Sequence, residues 1–205
     1  MIYGMWFNSS GGGGGGATSV GDLLQKTGQT TSYRTGDDGD IQAGRKVDFT
    51  TLKDNNPFGN TNRFTDELGG STYANDIVID WSTYDGSEVL GYYRVWVLGS
   101  TTNWDGTIDA CLAHSVGTFT SGWRCPNARE LANIIDYSQS IALNYAPFNI
   151  SIGYQATSST TRASNTNQAF VLSLSGSNLS GGNKTNLGQR TLPVRNFTVT
   201  GTTLT

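Results

Sequence analysis

Six consecutive glycines, residues 11–16, divide the chain before any other folding argument begins. A run with that much backbone freedom sustains neither helix nor strand, and its ordinary use is as a flexible tether. Upstream lies a short apolar segment carrying Ile2, Tyr3, Met5, Trp6 and Phe7. Downstream, residues 17–205 are enough for one domain of ordinary size. The pattern predicts an apolar docking tag and tether over 1–16 and a displayed head over 17–205. On this reading the five apolar tag residues dock onto another virion or surface protein. The same segment does not read as a secretory leader, because it has no basic start and its apolar run is broken by Gly4 and Asn8. No stretch approaches the roughly 20 apolar residues of a membrane span, so membrane insertion is not expected.

The head has the aromatic content of a folded core, with 5 Trp, 9 Tyr and 8 Phe in the chain. Charged residues make up only 14%, and Gly, Ser, Thr and Asn are plentiful. That balance fits a loop-rich β protein working outside a cell better than a cytosolic enzyme. The net charge of −3 offers no electrostatic footprint for nucleic acid. The charges are nonetheless segregated. All 16 carboxylates lie at or before Asp136, beside nine basic residues. After Asp136 the only charged side chains are Arg162, Lys184, Arg190 and Arg195.

Local patterns predict an α+β order with two helices and antiparallel sheets. A short helix is expected over 20–25. Residues 76–81 read as a strand closed by the turn Tyr84-Asp85-Gly86, and 92–98 as a second strand. Trp104, Ile108, Cys111 and Leu112 recur at helical spacing. Asn127 followed three positions later by Glu130 is a capping-box pattern, and Leu131, Ile134 and Ile135 supply the buried stripe behind it. Residues 169–174 and 192–199 read as strands, separated by polar loops.

Five motifs in order carry a family resemblance. Gly122-Trp123-Arg124-Cys125-Pro126-Asn127-Ala128-Arg129-Glu130-Leu131 resembles the "WRLP-n-x-x-E-L" signature of the DUF1566 family, which includes the C-terminal domain of a Legionella collagen-like adhesin. Thr27-Gly28-Gln29-Thr30 resembles the opening of that family, and Trp104 with Ala110-Cys111 its helix pattern. Ser158-Ser159-Thr160-Thr161 and Pro193-Val194-Arg195 resemble its closing segments. Two departures stand out. Cys125 replaces Leu in the signature, and Gln155-Ala156-Thr157 lacks the Trp found before the Ser-Ser pair. The resemblance implies a C-type-lectin-like fold, as in phage tropism determinants, with a variable ligand-contacting face near the C-terminus. Trp123 is expected to be buried beside the helix starting at Asn127, and Arg124 to hold loop carbonyls.

The residues give little support to catalysis or metal chemistry. His114 is the only histidine and sits where the first helix should end, a packing position more than a general base. Asp37-Asp38-Gly39-Asp40 lacks the later Glu of a calcium loop and reads as a turn of solvated acids. No cofactor is expected. Cys111 and Cys125 leave two buried thiols or one disulfide open.

What remains is recognition. Residues 154–168 with 175–189 form the expected face, through Tyr154, Gln155, Thr157, Ser158, Thr160, Arg162, Asn165, Asn167, Asn178, Asn183 and Lys184. Asn and Ser loops supply adaptable hydrogen bonds, and Tyr and Arg supply stacking or ionic anchors. A host-surface glycan or protein receptor is the expected partner, bound by a phage virion fibre or a bacterial adhesin, with a homotrimer as a compatible assembly; the alternative is a structural virion decoration protein whose head binds only its neighbours.

Overall fold

The computed structural model describes residues 27–41, 48–52, 54–66, 76–95, 97–98, 103–150 and 154–205. The tag residues Ile2, Tyr3, Met5, Trp6 and Phe7, the glycine run and the helix expected over 20–25 lie outside the described residues. The described part is α+β. Helices are α1 (Asp38–Ile41), α2 (Trp104–Leu112) and α3 (Ala128–Asn133). Strands are β1 (Phe64–Asp66), β2 (Ile77–Asp80), β3 (Glu88–Tyr93), β4 (Val97–Leu98), β5 (Gln155–Thr161), β6 (Gln168–Ser173), β7 (Asn178–Asn183), β8 (Arg190–Thr191), β9 (Val194–Thr200) and β10 (Thr203–Leu204).

The central sheet runs β1-β2-β3-β9-β10, antiparallel throughout. Its middle is buried on both faces, which explains the unbroken apolar run Ile77-Val78-Ile79. Val78, Leu90 and Tyr92 face one core with Leu131, Ile134, Phe148 and Leu172. Ile77, Ile79 and Val89 face a second, with Trp81, Trp123 and Phe197. Gly91 lets the two central strands close up: a Cβ there would lie 2.5 Å from the Phe197 ring.

The strand expected over 92–98 is two strands. β3 begins four residues earlier, at Glu88, and ends at Tyr93; the chain then turns away and reappears as β4, paired with β8. The reason lies across the ladder. Tyr92 pairs with Val194, and the next partner is Pro193, which accepts from the Tyr93 N–H at 2.8 Å but has no N–H to return. Arg94 is then held by the Pro147 carbonyl and the carboxylates of Asp66 and Asp76.

Both expected helices form. Asn103 caps α2, accepting from the Gly106 N–H at 3.1 Å. Its buried side is Thr107 and Cys111, while Leu112, expected on the apolar face, is 60% exposed because it lies about 100° round the helix from Cys111. The capping box of α3 is complete: the Asn127 side chain accepts from the Glu130 N–H, and the Glu130 carboxylate from the Asn127 N–H. Asp37 to Asp40 form the entry to a one-turn helix, α1, not a simple turn. The Tyr33 N–H leads the groups that hold the Asp37 carboxyl below its ordinary range; desolvation opposes it, and the Asp40 and Arg34 N–H groups add to the lowering.

Trp123 is buried, with its indole N–H on the Phe119 carbonyl at 2.9 Å. It packs against His114 and Phe197 in the second core, whereas α3 packs into the first, so it does not lie beside that helix as expected. Arg124 binds a carboxylate, not loop carbonyls. Its guanidinium forks onto Glu130 at 2.8 and 2.6 Å, tying the signature segment to the α3 cap.

Candidate binding face

The larger departure from expectation is the region read as binding loops. Residues 155–161 and 178–183 are strands, and with β6 between them they make a three-stranded antiparallel sheet. One side of this sheet meets α3 and buries Ala156, Leu172 and Leu174. That placement removes some of the expected contacts from the surface. Thr157 and Ser158 are buried; the Thr157 hydroxyl is bound to Gln189, and the Ser158 hydroxyl donates to the Phe170 carbonyl at 2.8 Å. Thr160 is half-buried and accepts from the Ala128 N–H at the start of α3, at 3.0 Å. These three residues serve the fold.

The remainder fall into two groups. The first is the tip of the β5–β6 hairpin. Its turn is closed by the Arg162 N–H on the Gln168 carbonyl at 2.9 Å and the Gln168 N–H on the Asn165 carbonyl at 2.9 Å. A side-chain ladder crosses all three strands here. Arg162 donates to the Gln168 amide oxygen at 3.1 Å, and Gln168 donates to Asn183 at 3.3 Å. Gly181 makes room for it, since a Cβ there would stand 2.7 Å from the Arg162 guanidinium. Arg162, Asn165, Asn167 and Asn183 are exposed.

Lys184 completes this end. Its backbone N–H donates to the Asn167 carbonyl at 3.0 Å, which docks the strand exit on the hairpin tip. Its ammonium lies 3.9 Å from the centre of the Trp104 ring and donates to the Thr161 hydroxyl at 2.7 Å. Trp104 is itself fixed, donating to the Ser158 carbonyl at 2.9 Å through the indole and to the Lys184 carbonyl at 3.0 Å through the backbone.

Tyr154 and Gln155 form the second group, at the opposite end of β5, about 20 Å from the tip at the rise of an extended strand. The Arg190 guanidinium lies 3.7 Å from the Tyr154 ring centre, and Tyr154 stays 39% exposed. Asn178 is exposed at the start of β7. Sequence reasoning passed over Arg190 and treated Trp104 only as core. The signal for Arg190 was its place in the carboxylate-free stretch; nothing in the sequence linked Trp104 to Lys184.

Chemically, the hairpin end offers a fixed guanidinium, a fixed ammonium and a set of amides, with no Asp or Glu after position 136 to oppose them. Among the described residues no group of three His, Cys, Asp or Glu side chains could hold a metal ion. His114 lies away from this face, its ring tilted against Tyr93 at 4.3 Å and edge-on to Trp123 at 5.0 Å. Burial pushes its pKa down, as suits a packing residue. No helix among the described residues is long and apolar enough to cross a membrane.

Comparison with known proteins gives one match. The family model described as the Lcl C-terminal domain covers residues 74–195, a span that contains α2, α3 and the whole three-stranded sheet. No curated protein and no solved structure matches the chain.

Proposed function

The chain belongs to the Lcl C-terminal domain family, an adhesin-like group of surface proteins, and on that premise we propose that it is a non-enzymatic module that grips an external receptor. The observation that carries this reading is the hairpin end of the three-stranded sheet. There the exposed Arg162, Asn165, Asn167 and Asn183 meet the half-buried Lys184 on one face, built from a stretch of chain without Asp or Glu. A host-surface glycan or protein with polar or anionic groups is the matching partner, because forked guanidinium bonds and amide pairs recognise such groups. Thr157, Ser158 and Thr160 drop out of the proposed contact set, and Arg190 joins Tyr154 as a secondary patch.

The head in this proposal is C-type-lectin-like, displayed on a phage fibre or a bacterial surface. Ile2, Tyr3, Met5, Trp6 and Phe7 dock it to a neighbouring virion or surface protein, and a homotrimer is the assembly to look for. The hexaglycine tether then gives the head freedom to reach its receptor.

The test uses the full chain, a glycan array and adsorption to host cells. Replacing Arg162 and Lys184 together by Ala should weaken binding about tenfold or more, at on the order of 1 kcal/mol each. Tm should move by no more than about 2–4 °C, as for surface changes worth roughly 1 kcal/mol. EDTA should leave binding intact. Unaltered adsorption by the double variant, or strong sensitivity to EDTA, would place the receptor contact elsewhere.

A further inference from the structure

Cys111 and Cys125 are both unbonded and buried, at 0% and 3% exposure, and neither has a part in the binding face. Two separate segments bring them toward one another over β5. Trp104, at the start of α2, donates to the Ser158 carbonyl at 2.9 Å, and Cys111 follows seven residues later on the same side of that helix. Cys125 reaches the neighbouring strand position, its Sγ 3.6 Å from the Thr157 carbonyl, and the next residue, Pro126, accepts from the Ser159 N–H at 2.7 Å. The start of α2 and the 124–126 segment therefore rest on the same stretch of β5.

The two thiols are hydrogen-bonding neighbours. The Cys125 thiol beside it, and then burial, push the Cys111 thiol far up from its ordinary value. Two protonated thiols in contact gain little from that contact while both stay reduced. Adhesin-like surface proteins work where thiols meet oxidants.

We infer that Cys111 and Cys125 are a modification site, closing to an intramolecular disulfide that staples α2 to the segment leading into α3. In the reaction the two Cys thiols exchange with a small-molecule disulfide. One S–S bond forms between the cysteines, the oxidant's S–S bond breaks, and the two protons and two electrons leave with two molecules of the reduced small thiol. Because neither thiol is exposed and a buried, protonated thiol is a poor nucleophile, the exchange runs while the chain folds or locally opens. The closed loop holds 15 residues, counting both cysteines. It fixes the helix that carries Trp104, and with it the base on which the Lys184 ammonium rests.

The test refolds the full chain with oxidised glutathione, unfolds it in denaturant, adds an alkylating reagent and measures intact mass and peptide links. The expected product takes up no alkyl group, is lighter than the reduced chain by two hydrogens, and yields a single linked peptide joining Cys111 to Cys125. Dithiothreitol should then lower its Tm by roughly 5–10 °C, as for a loop of this length in a domain of this size. Cys125→Ser, close to Cys in bulk, should show no such shift; Cys111→Ala serves the same purpose if that variant does not fold. Two alkylated thiols after oxidation, glutathione adducts on both, or a link between two chains would each overturn the inference. All of these readouts are covalent or thermal and are independent of receptor binding.

Discussion

Arg63 and Asp80 meet inside the protein as a forked ion pair, Nε to Oδ1 at 2.9 Å and Nη2 to Oδ2 at 2.8 Å, with both side chains fully buried. The guanidinium lies against both Phe49 and Phe64, with its carbon 4.7 and 4.3 Å from their ring centres. Two further hydrogens go to the Phe49 and Asn133 carbonyls, and Asn133 donates to Asp80 at 2.9 Å. Burial works against the charge, yet Asp80 lifts the Arg63 pKa above its ordinary value. Arg63→Met leaves a buried carboxylate without its counter-ion and should cost about 3–5 kcal/mol in urea unfolding. Arg63→Met with Asp80→Leu should recover much of that loss. A single-variant cost below about 1 kcal/mol would mean the pair is not the keystone between β1, β2 and α3.

The two central glycines of β7 should respond differently to alanine. A Cβ on Gly182 would lie 2.4 Å from a methyl of Val171, which is buried and cannot retreat. Gly182→Ala should therefore destabilise by about 1–3 kcal/mol through overpacking. At Gly181 the nearest atoms are the ends of the Gln168 and Arg162 side chains, at 2.6 and 2.7 Å. Gly181→Ala should barely change stability but should displace the Arg162 guanidinium and weaken receptor binding. Thermal melts and adsorption measured on both variants separate the two effects. Equal melts for the two would count against this packing of the sheet.

His114 gives the acid limb of stability a specific contributor. Burial lowers its folded-state pKa below the ordinary 6.5, and its Nε2 has no hydrogen-bond partner. A depressed folded pKa means that the unfolded chain binds the proton first. The contribution is complete above pH about 6.5 and is lost as pH falls through the folded value. His114→Phe keeps a ring against Tyr93 and Trp123 without a titrating group. Across the step from pH about 7 to about 5, the variant should lose less Tm than the parent. Parallel curves would show that His114 does not titrate on folding.

The parts of the fold that were legible in the sequence are those where local chemistry and tertiary role agree. Asn127 and Glu130 cap α3, and Leu131, Ile134 and Ile135 are buried behind them, because cap and stripe each need only neighbouring residues. The apolar run in β2 was legible for the same reason. β5 and β7 were not. Their sequences, QATSSTT and NLSGGN, carry few strand-forming bulky residues, and their strand state comes from pairing on both sides of β6. That misreading carried into the site, since a loop would expose Thr157 and Ser158 whereas a bulged edge strand packed against α3 and β8 buries them. The hairpin tip survived because its turn residues Arg162, Asn165 and Asn167 really are turn residues. Trp104 against Lys184 joins positions 80 residues apart, a contact no local pattern announces.

Lys184 owes its placement to Trp104, so the two should act as a unit in binding. The ammonium sits 3.9 Å from the ring centre with one proton on the Thr161 hydroxyl, which leaves the other two protons for a ligand. Trp104→Ala removes the ring and leaves the Ser158 carbonyl without its indole donor, so it should cost both stability and affinity. Trp104→Phe keeps an aromatic face for the ammonium and loses only the indole hydrogen bond and some packing. An exposed cation–π contact is worth about 0.5–1 kcal/mol, so losing it corresponds to roughly a two- to fivefold fall in affinity. Binding should therefore rank parent first, Trp104→Phe next and Trp104→Ala last, with Lys184→Ala close to Trp104→Ala. In the double variant Trp104→Ala with Lys184→Ala, the affinity losses should be less than additive, as for residues that share one contact. Titrating the same immobilised receptor with all five proteins measures this directly. Fully additive losses would mean that Trp104 supports the fold alone and that Lys184 is placed by Thr161 and the hairpin tip.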